Sequence, residues 1–331
     1  MRILVTGAAG MIGRKLTERL IRDGALAGRQ IDAIDLHDIV PPPMPEATGI
    51  AVNAVTGDLA GPGAAAALVA ARPDVVFHLA GIVSGEAEVN FDLGYRVNLD
   101  GTRALFDAIR AATYMPRVVF TSSIAVFGAP FPDVIPDDFH LTPLTSYGTQ
   151  KLVGEALLAD YTRKGVFDGV GIRLPTICVR PGKANKAASS FFSGIIREPL
   201  NGLPAILPAP RSVLHTHASP RSAVNFLIHA AGMDGERIGP RRNLTMPGVA
   251  VTVGEQMEAL RRIAGDDVAA LVREEPDDAV WAIVRNWPTR FEARRARELG
   301  FEAETSFDEI IRVYIDEELG GVLPHKGGDG A

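Results

Sequence analysis

Short continuous apolar runs alternate with longer amphipathic stretches through the first half of the chain. Arg2–Thr6 predicts a strand, Gly10–Asp23 a helix and Gln30–Asp35 a strand. Ile50–Val55 predicts a further strand and Pro62–Ala71 a helix. Asp74–Leu79, with Val75, Val76 and Phe77 unbroken, suits a strand covered on both faces. Glu86–Ala112 predicts a long helix, Arg117–Thr121 a strand, Ser146–Arg163 a helix and Gly169–Leu174 another strand. Such alternation predicts an α/β fold with a parallel sheet between two layers of helices. Right-handed crossovers then give a doubly wound, Rossmann-type order.

The second half has a different pattern. Prolines cluster at Pro199, Pro204, Pro208, Pro210 and Pro220, between shorter helical patterns at Ala188–Arg197, Ser219–Gly232, Val253–Ala264 and Ser306–Glu318. The expected organisation is a dinucleotide-binding domain over residues 1–175 and a smaller, mostly helical substrate lobe over 176–319. Some segments of that lobe are expected to return to the sheet. A Gly-rich tail over 320–331 is expected to be flexible.

Composition narrows the function classes. With 34 Lys plus Arg against 40 Asp plus Glu, the chain lacks the basic excess that nucleic-acid binding requires. Its single cysteine, Cys178, rules out an internal disulfide and a Cys-rich zinc site, and reads as a small buried residue. No apolar stretch reaches the about 18 residues of a membrane span, and the apolar run before Gly7 is too short for a signal peptide. The expectation is a cytoplasmic protein. His215 and His217, without clustered acids, make a poor metal site and read as structural. Trp281 and Trp287 read as packing residues.

The segment Gly7-Ala8-Ala9-Gly10-Met11-Ile12-Gly13 lies between the first strand and the first helix. Gly7 permits the sharp turn, Gly10 lets the backbone approach a pyrophosphate, and Gly13 lets the helix pack on the strand. The helix N-terminus offers unpaired N–H groups and a positive dipole end to phosphates. Asp35, 22 residues after Gly13, is expected to end the second strand and hold the adenosine ribose hydroxyls. A carboxylate there repels a 2′-phosphate and favours NAD over NADP. Asp32 and Asp38 are the competing positions. Asp58-Leu59 could meet the adenine amino group, and Asp58 could equally N-cap a helix.

Tyr147 and Lys151 are four apart on a predicted helix and so share a face. An ammonium near a phenol lowers its pKa from about 10 and makes it a usable base. Upstream, Thr121-Ser122-Ser123 brings hydroxyls to the end of a strand, where substrates of parallel sheets bind. A serine there can turn a substrate hydroxyl toward the phenolate.

These pieces together resemble the extended short-chain dehydrogenases/reductases, the group of the nucleotide-sugar epimerases and dehydratases. The resemblance rests on Thr6–Gly13, Asp58-Leu59, His78-Leu79-Ala80-Gly81, Tyr95-Arg96-Val97-Asn98, Ser122-Ser123, Tyr147 with Lys151, and Arg173-Leu174-Pro175. It implies NAD as cofactor, Ser123 as catalytic serine, Tyr147 as acid/base and Lys151 as its partner. It also implies that Leu79, Ala80 and Gly81 line the cofactor and that Asn98 supports the active-site helix. Pro175 and Thr176 would lie by the nicotinamide. Ser122 and Ser123 could exchange roles.

The nucleotide-sugar enzymes carry paired acids after a second-lobe histidine, and this chain reads Leu214-His215-Thr216-His217-Ala218-Ser219-Pro220-Arg221. Phe127 stands in place of their usual tyrosine. Ser122–Gly128, Arg180-Pro181-Gly182 and Arg295–Phe301 are instead similar to the branch that oxidises D-erythronate, a four-carbon sugar acid. That resemblance implies oxidation of the C2 hydroxyl of a small sugar acid. Short-chain L-threonine dehydrogenases share some of these features, and an epimerase or dehydratase with tightly held NAD is the other alternative. A sugar acid's carboxylate suits a bidentate arginine, for which Arg180 and Arg221 are candidates, although each could equally be a surface ion-pair residue. The sequence leaves a homodimer open.

Overall fold

The structure is a computed structural model that describes residues 1–46, 49–182 and 189–323. Seven strands form its main sheet: β1 (Arg2–Thr6), β2 (Ala33–Asp38), β3 (Ala51–Thr56), β4 (Val75–His78), β5 (Arg117–Ser123), β6 (Asp168–Leu174) and β7 (Asn243–Thr245). They lie in the order β7-β6-β5-β4-β1-β2-β3, and every pairing is parallel. The order therefore reverses beside β1. This is the doubly wound arrangement that the alternating pattern implied. Its ligand crevice lies beyond the carboxyl ends of the strands at the reversal.

Burial explains why these segments are strands. Ile3, Leu4, Val5, Val76, Phe77, Val118, Val119 and Phe120 have essentially no exposed surface. Consecutive residues of a strand face opposite sides, so such runs require helices on both faces. Helix α1 (Met11–Asp23) buries Leu16 and Leu20 on one of them. Helix α2 (Ser146–Arg163) buries Gln150, Lys151, Gly154, Glu155 and Leu158, an unusually polar inner face.

Two elements depart from the sequence reading. Arg29 and Gln30 pair back onto Ala25 and Leu26 in a small hairpin, so β2 begins at Ala33 and runs on to Asp38. The long helix expected over Glu86–Ala112 is broken. It comprises Ser84–Val89, Phe91–Gly94, a wide-turned π segment Tyr95–Asp100, and Gly101–Ala111. Asn90 leaves helical geometry at φ −118°, and its side chain caps the new start by accepting from Leu93 N–H at 3.2 Å.

The second half both builds a lobe and returns to the sheet. Phe192, Ile195, Ile196, Leu260, Ile310 and Ile311 form a separate core. Helix α3 (Pro220–Gly232), capped by Ser219, sends Ala223, Phe226 and Leu227 into the same core as Ile3 and Val5. Strand β7 adds Leu244, and Ala296 and Phe301 follow. The tail from residue 324 onward lies outside the described residues.

Candidate active site

The turn after β1 is shaped by its glycines. Gly7 has φ +77°, and a Cβ there would lie 2.6 Å from Ala80 N. A Cβ on Gly13 would lie 2.2 Å from Gly7 O. Those two glycines are demanded by the protein's own packing. Gly10 is different: it is exposed, has φ −68°, and a Cβ would meet only Gly7 O, at 3.3 Å. No side chain caps the N-terminus of α1. A bare helix end with no side chain standing over it is what an anionic diphosphate requires, so the segment fits a dinucleotide. Met11 and Ile12 supply the first N–H groups of that helix. The N–H of Ala9 is already taken, donating to Asp38 Oδ2 at 2.9 Å.

Asp35 does not end its strand. It pairs in register with Leu4, three residues before Asp38, or about 10 Å short of the crevice. Its carboxylate accepts from Arg2 Nη1 at 2.8 and 3.0 Å and from Asn53 Nδ2 at 2.9 Å. The expectation of Asp35 at the ribose is corrected by this geometry, because the late start of β2 moves Asp38 to the strand end beside the glycine turn. Asp58 accepts from Ala60 N–H at 3.0 Å and pairs with Arg96. It caps no helix, since the next one starts at Ala64. Leu59 is buried in the core.

Leu79, Ala80 and Gly81 continue from β4 past the glycine turn, with Leu79 N–H donating to Thr6 O at 3.0 Å. Asn98, on the π segment, holds the next residue: Oδ1 accepts from Ile82 N–H at 2.8 Å and Nδ2 donates to Ile82 O at 3.3 Å. Nδ2 also donates to Gln150 Oε1 on α2 at 2.8 Å. Asn98 thus ties the loop after β4 to the helix that carries Tyr147 and Lys151. A Cβ on Gly81 would lie 2.9 Å from Asn98 Oδ1 and 3.6 Å from Lys151 Nζ.

The structure brings Ser123, Tyr147 and Lys151 together. Ser123 Oγ accepts from Ala125 N–H at 3.1 Å, which leaves its hydrogen for the Tyr147 phenol. Lys151 is buried and donates to Thr121 O at 2.9 Å, with Nζ 5.8 Å from the centre of the Tyr147 ring. Burial pushes Lys151 down to about 8, against the opposing charge of Glu155. Burial also raises Tyr147, while the Ser123 hydrogen bond and the Arg180 charge pull it down. Two cations thus stand near the phenol: Lys151 over its ring, and Arg180 as a second charge.

Ser122 is committed elsewhere. It is buried and donates to Glu155 Oε1 at 2.5 Å. Glu155 also receives Arg173, from Nε at 2.9 Å and Nη2 at 2.7 Å. Of the two candidate serines, Ser123 is the one that meets Tyr147, since alternate strand residues face opposite sides. Sequence reasoning missed the Glu155–Arg173 pair, although Glu155 follows Lys151 by one helical turn and so shares its face.

Beyond β6, Pro175 is buried and Thr176 is partly exposed. Thr176 Oγ1 lies 2.7 Å from His215 Nε2. Arg180 is folded inward, with Nε donating to Ile177 O at 2.9 Å and its backbone N–H to Ser193 Oγ at 3.0 Å. Among the described residues, the charges and dipoles that act on it come from Cys178, Tyr147 and Arg197, none of them a carboxylate. Arg221 is the opposite case. Its Nε donates to Glu317 Oε1 at 2.7 Å, on a surface that also pairs Lys15 with Glu317 and Glu318. The expectation of Arg221 as a substrate group is corrected: surface acids neutralise it.

Residues 3–220 match the sequence pattern of the NAD dependent epimerase/dehydratase family. The chain belongs to that family. It is an enzyme of the NAD-dependent, short-chain dehydrogenase kind. It is 48% identical to D-erythronate dehydrogenase of Cupriavidus necator over 96% of this chain and 98% of that protein. It is 36% identical to D-erythronate dehydrogenase of Haemophilus influenzae over 96% of this chain and all of that protein. Among solved structures, a nucleoside-diphosphate-sugar epimerase from Agrobacterium tumefaciens superposes with a TM-score of 0.96 at 62% identity, covering 98% of this chain and 96% of that one. No helix among the described residues is long and apolar enough to cross a membrane.

Proposed function

We propose that the protein oxidises the C2 hydroxyl of a small sugar acid, D-erythronate, to 2-oxo-erythronate. The observation that carries this reading is Arg180, an inward-folded guanidinium with which no carboxylate of the described residues pairs, placed where its charge acts on Tyr147. A substrate carboxylate satisfies that cation and leaves the adjacent carbon's hydroxyl at the phenol. Full-length similarity to two D-erythronate dehydrogenases supports the four-carbon acid.

NAD, when bound, supplies the hydride acceptor. The bare end of α1 at Gly10, Met11 and Ile12 would hold its diphosphate, and Asp38 would take its ribose hydroxyls. Leu79, Ala80, Gly81 and Pro175 would line its path across the strand ends. Asp58 and Leu59 would border its adenine. Ser123 positions the C2 hydroxyl, and Tyr147 accepts that hydroxyl's proton as general base. The Lys151 ammonium, held by Thr121 O, adds positive charge over the phenol ring. Arg180 both grips the carboxylate and favours the phenolate.

A second reading, a nucleotide-sugar epimerase that keeps its NAD, is favoured by the description of the Agrobacterium structure. Purified protein with NAD and D-erythronate, L-threonine or a UDP-sugar separates the two. NADH is expected from D-erythronate alone. Tyr147→Phe should lose turnover by roughly 10²–10⁴-fold while retaining NAD binding. Arg180→Lys keeps the charge but loses the planar fork, so KM should rise more than kcat falls. Turnover of L-threonine with no tetronate oxidised would overturn the proposal. So would bound NAD with interconversion of nucleotide sugars.

A further inference from the structure

Helix α2 lies on the sheet through a buried face that is mostly polar. Tyr147, Lys151 and Glu155 follow one another along that helix at intervals of four residues, slightly more than a turn each. Each meets a different residue at the end of β5. Lys151 donates to Thr121 O at 2.9 Å, Ser122 donates to Glu155 Oε1 at 2.5 Å, and Ser123 meets the Tyr147 phenol. The proposed reaction uses Tyr147 and Lys151 and leaves Glu155 without a task.

The Glu155 carboxylate also receives the fork of Arg173, with Nε at 2.9 Å from Oε1 and Nη2 at 2.7 Å from Oε2. Arg173 is the register partner of Ser122, so one carboxylate bridges β5 and β6 across their shared ladder. The backbone oxygen of Glu155 accepts from Asn243 Nδ2, on β7, at 3.2 Å. The Arg173 guanidinium in turn lies 5.2 Å from the centre of the Phe127 ring, four residues beyond Ser123. Ser122, Glu155 and Arg173 are all buried.

Apolar contacts are non-directional, and by themselves they let a helix slide on a sheet. Charge-assisted hydrogen bonds hold only over a narrow range of length and angle, and a two-pronged guanidinium adds a fixed orientation. Strand β5 ends in Ser123, and β6 leads through Leu174 into Pro175, on the side proposed for the nicotinamide. A carboxylate that ties α2 to both strands sets where the phenol stands relative to each. We propose that Glu155 is a positioning residue of the reaction: held between Ser122 and Arg173, its carboxylate fixes Tyr147 against Ser123 and the nicotinamide side of the site. It touches no reacting atom. The inference rests on the Ser123–Tyr147 chemistry proposed above, and not on which substrate is oxidised.

The test must separate position from fold. Replacing every member of a buried ion pair by apolar groups of similar size often leaves a protein as stable or more so, whereas removing one partner strands the other's charge. The triple variant Ser122→Ala, Glu155→Leu, Arg173→Met should therefore keep its melting temperature. Its kcat should fall by roughly 10- to 100-fold, the order that a shift of about 1 Å at the reacting atoms costs. The KM for NAD should move less than about twofold. Two milder variants keep the ion pair. Ser122→Ala loses the tie to β5, and Glu155→Asp keeps the charge on a shorter arm. Each should lower kcat by about threefold or more with the same KM pattern. The comparison uses whichever of D-erythronate, L-threonine or a UDP-sugar the unaltered enzyme turns over, so failure of the sugar-acid reading does not decide it. Full kcat in a stable triple variant overturns the inference and leaves the cluster as a part of the fold. So does a loss carried by the KM for NAD alone, which would assign the cluster to cofactor binding. If the triple variant does not fold, unchanged kcat in both Ser122→Ala and Glu155→Asp overturns it.

Discussion

Asp35 and Asp38 stand on one strand, and their carboxylates meet different groups. Asp35 is 9% exposed and held by Arg2 and Asn53, toward the amino end of the sheet. Asp38 reaches the glycine turn through Ala9 N–H. Asp38→Ala should therefore narrow the preference for NAD over NADP by roughly tenfold or more, since it removes both the ribose acceptor and the charge that repels a 2′-phosphate. Asp35→Ala should leave that preference unchanged and instead cost about 1 kcal/mol of stability at most, since Arg2 and the exposed Asn53 can turn to water. Kinetics with both cofactors and urea unfolding of both variants check this. A change of cofactor preference in Asp35→Ala alone would return the ribose to that residue.

Among the elements, the π segment Tyr95–Asp100 has the most specific task. A continuous α-helix would turn residue 98 by a fixed increment, and the wide turn resets it. The reset places the Asn98 amide where it holds both backbone groups of Ile82 and reaches Gln150 on α2. Asn98→Ala breaks those bonds at once and leaves Gln150 buried with fewer partners. The expected cost is about 2–3 kcal/mol, with a raised KM for NAD because the loop bearing Gly81 loses its anchor. Asn98→Asp should fare no better, since a carboxylate cannot donate to Ile82 O or Gln150 Oε1. Full activity and an unchanged melting temperature in Asn98→Ala would refute the tie.

For the whole molecule, the buried histidines set the acid limit of stability. His78 bridges Thr6 and Thr102 at 2.7 and 2.8 Å, and burial pushes it down to about 3. Burial also pushes His215 to about 4 and His217 well below its ordinary value. In the unfolded chain each titrates near 6.5, so between that value and the folded one the unfolded state binds more protons. Stability is full above about pH 6.5 and falls as the pH drops, by up to about 1.4 kcal/mol per unit for each histidine. Urea unfolding should show a lower midpoint at pH 5 than at pH 7. Equal midpoints would mean that these rings are not held neutral in the folded chain.

The amino-acid order by itself determined the alternation of strands and helices, the glycine turn, and the helix bearing Tyr147 and Lys151. Each of these is a local or periodic property: apolar runs, residues four apart, a glycine where φ is positive. Helix α2 runs over Ser146–Arg163, the span its spacing predicts. What only the tertiary structure decided depends on neighbours distant in the chain. The register of β2 follows from a hairpin at Ala25–Gln30, and that register sets Asp38 and not Asp35 beside the glycine turn. The break at Asn90 follows from a side-chain cap competing with a helix that the pattern alone would continue. Whether Arg180 or Arg221 is neutralised by an acid of the described residues depended on what folds against each, and Glu317 comes from 96 residues away. Charges and hydrogen-bond directions are set by whatever packs against a group, so they become legible only once the chain has folded.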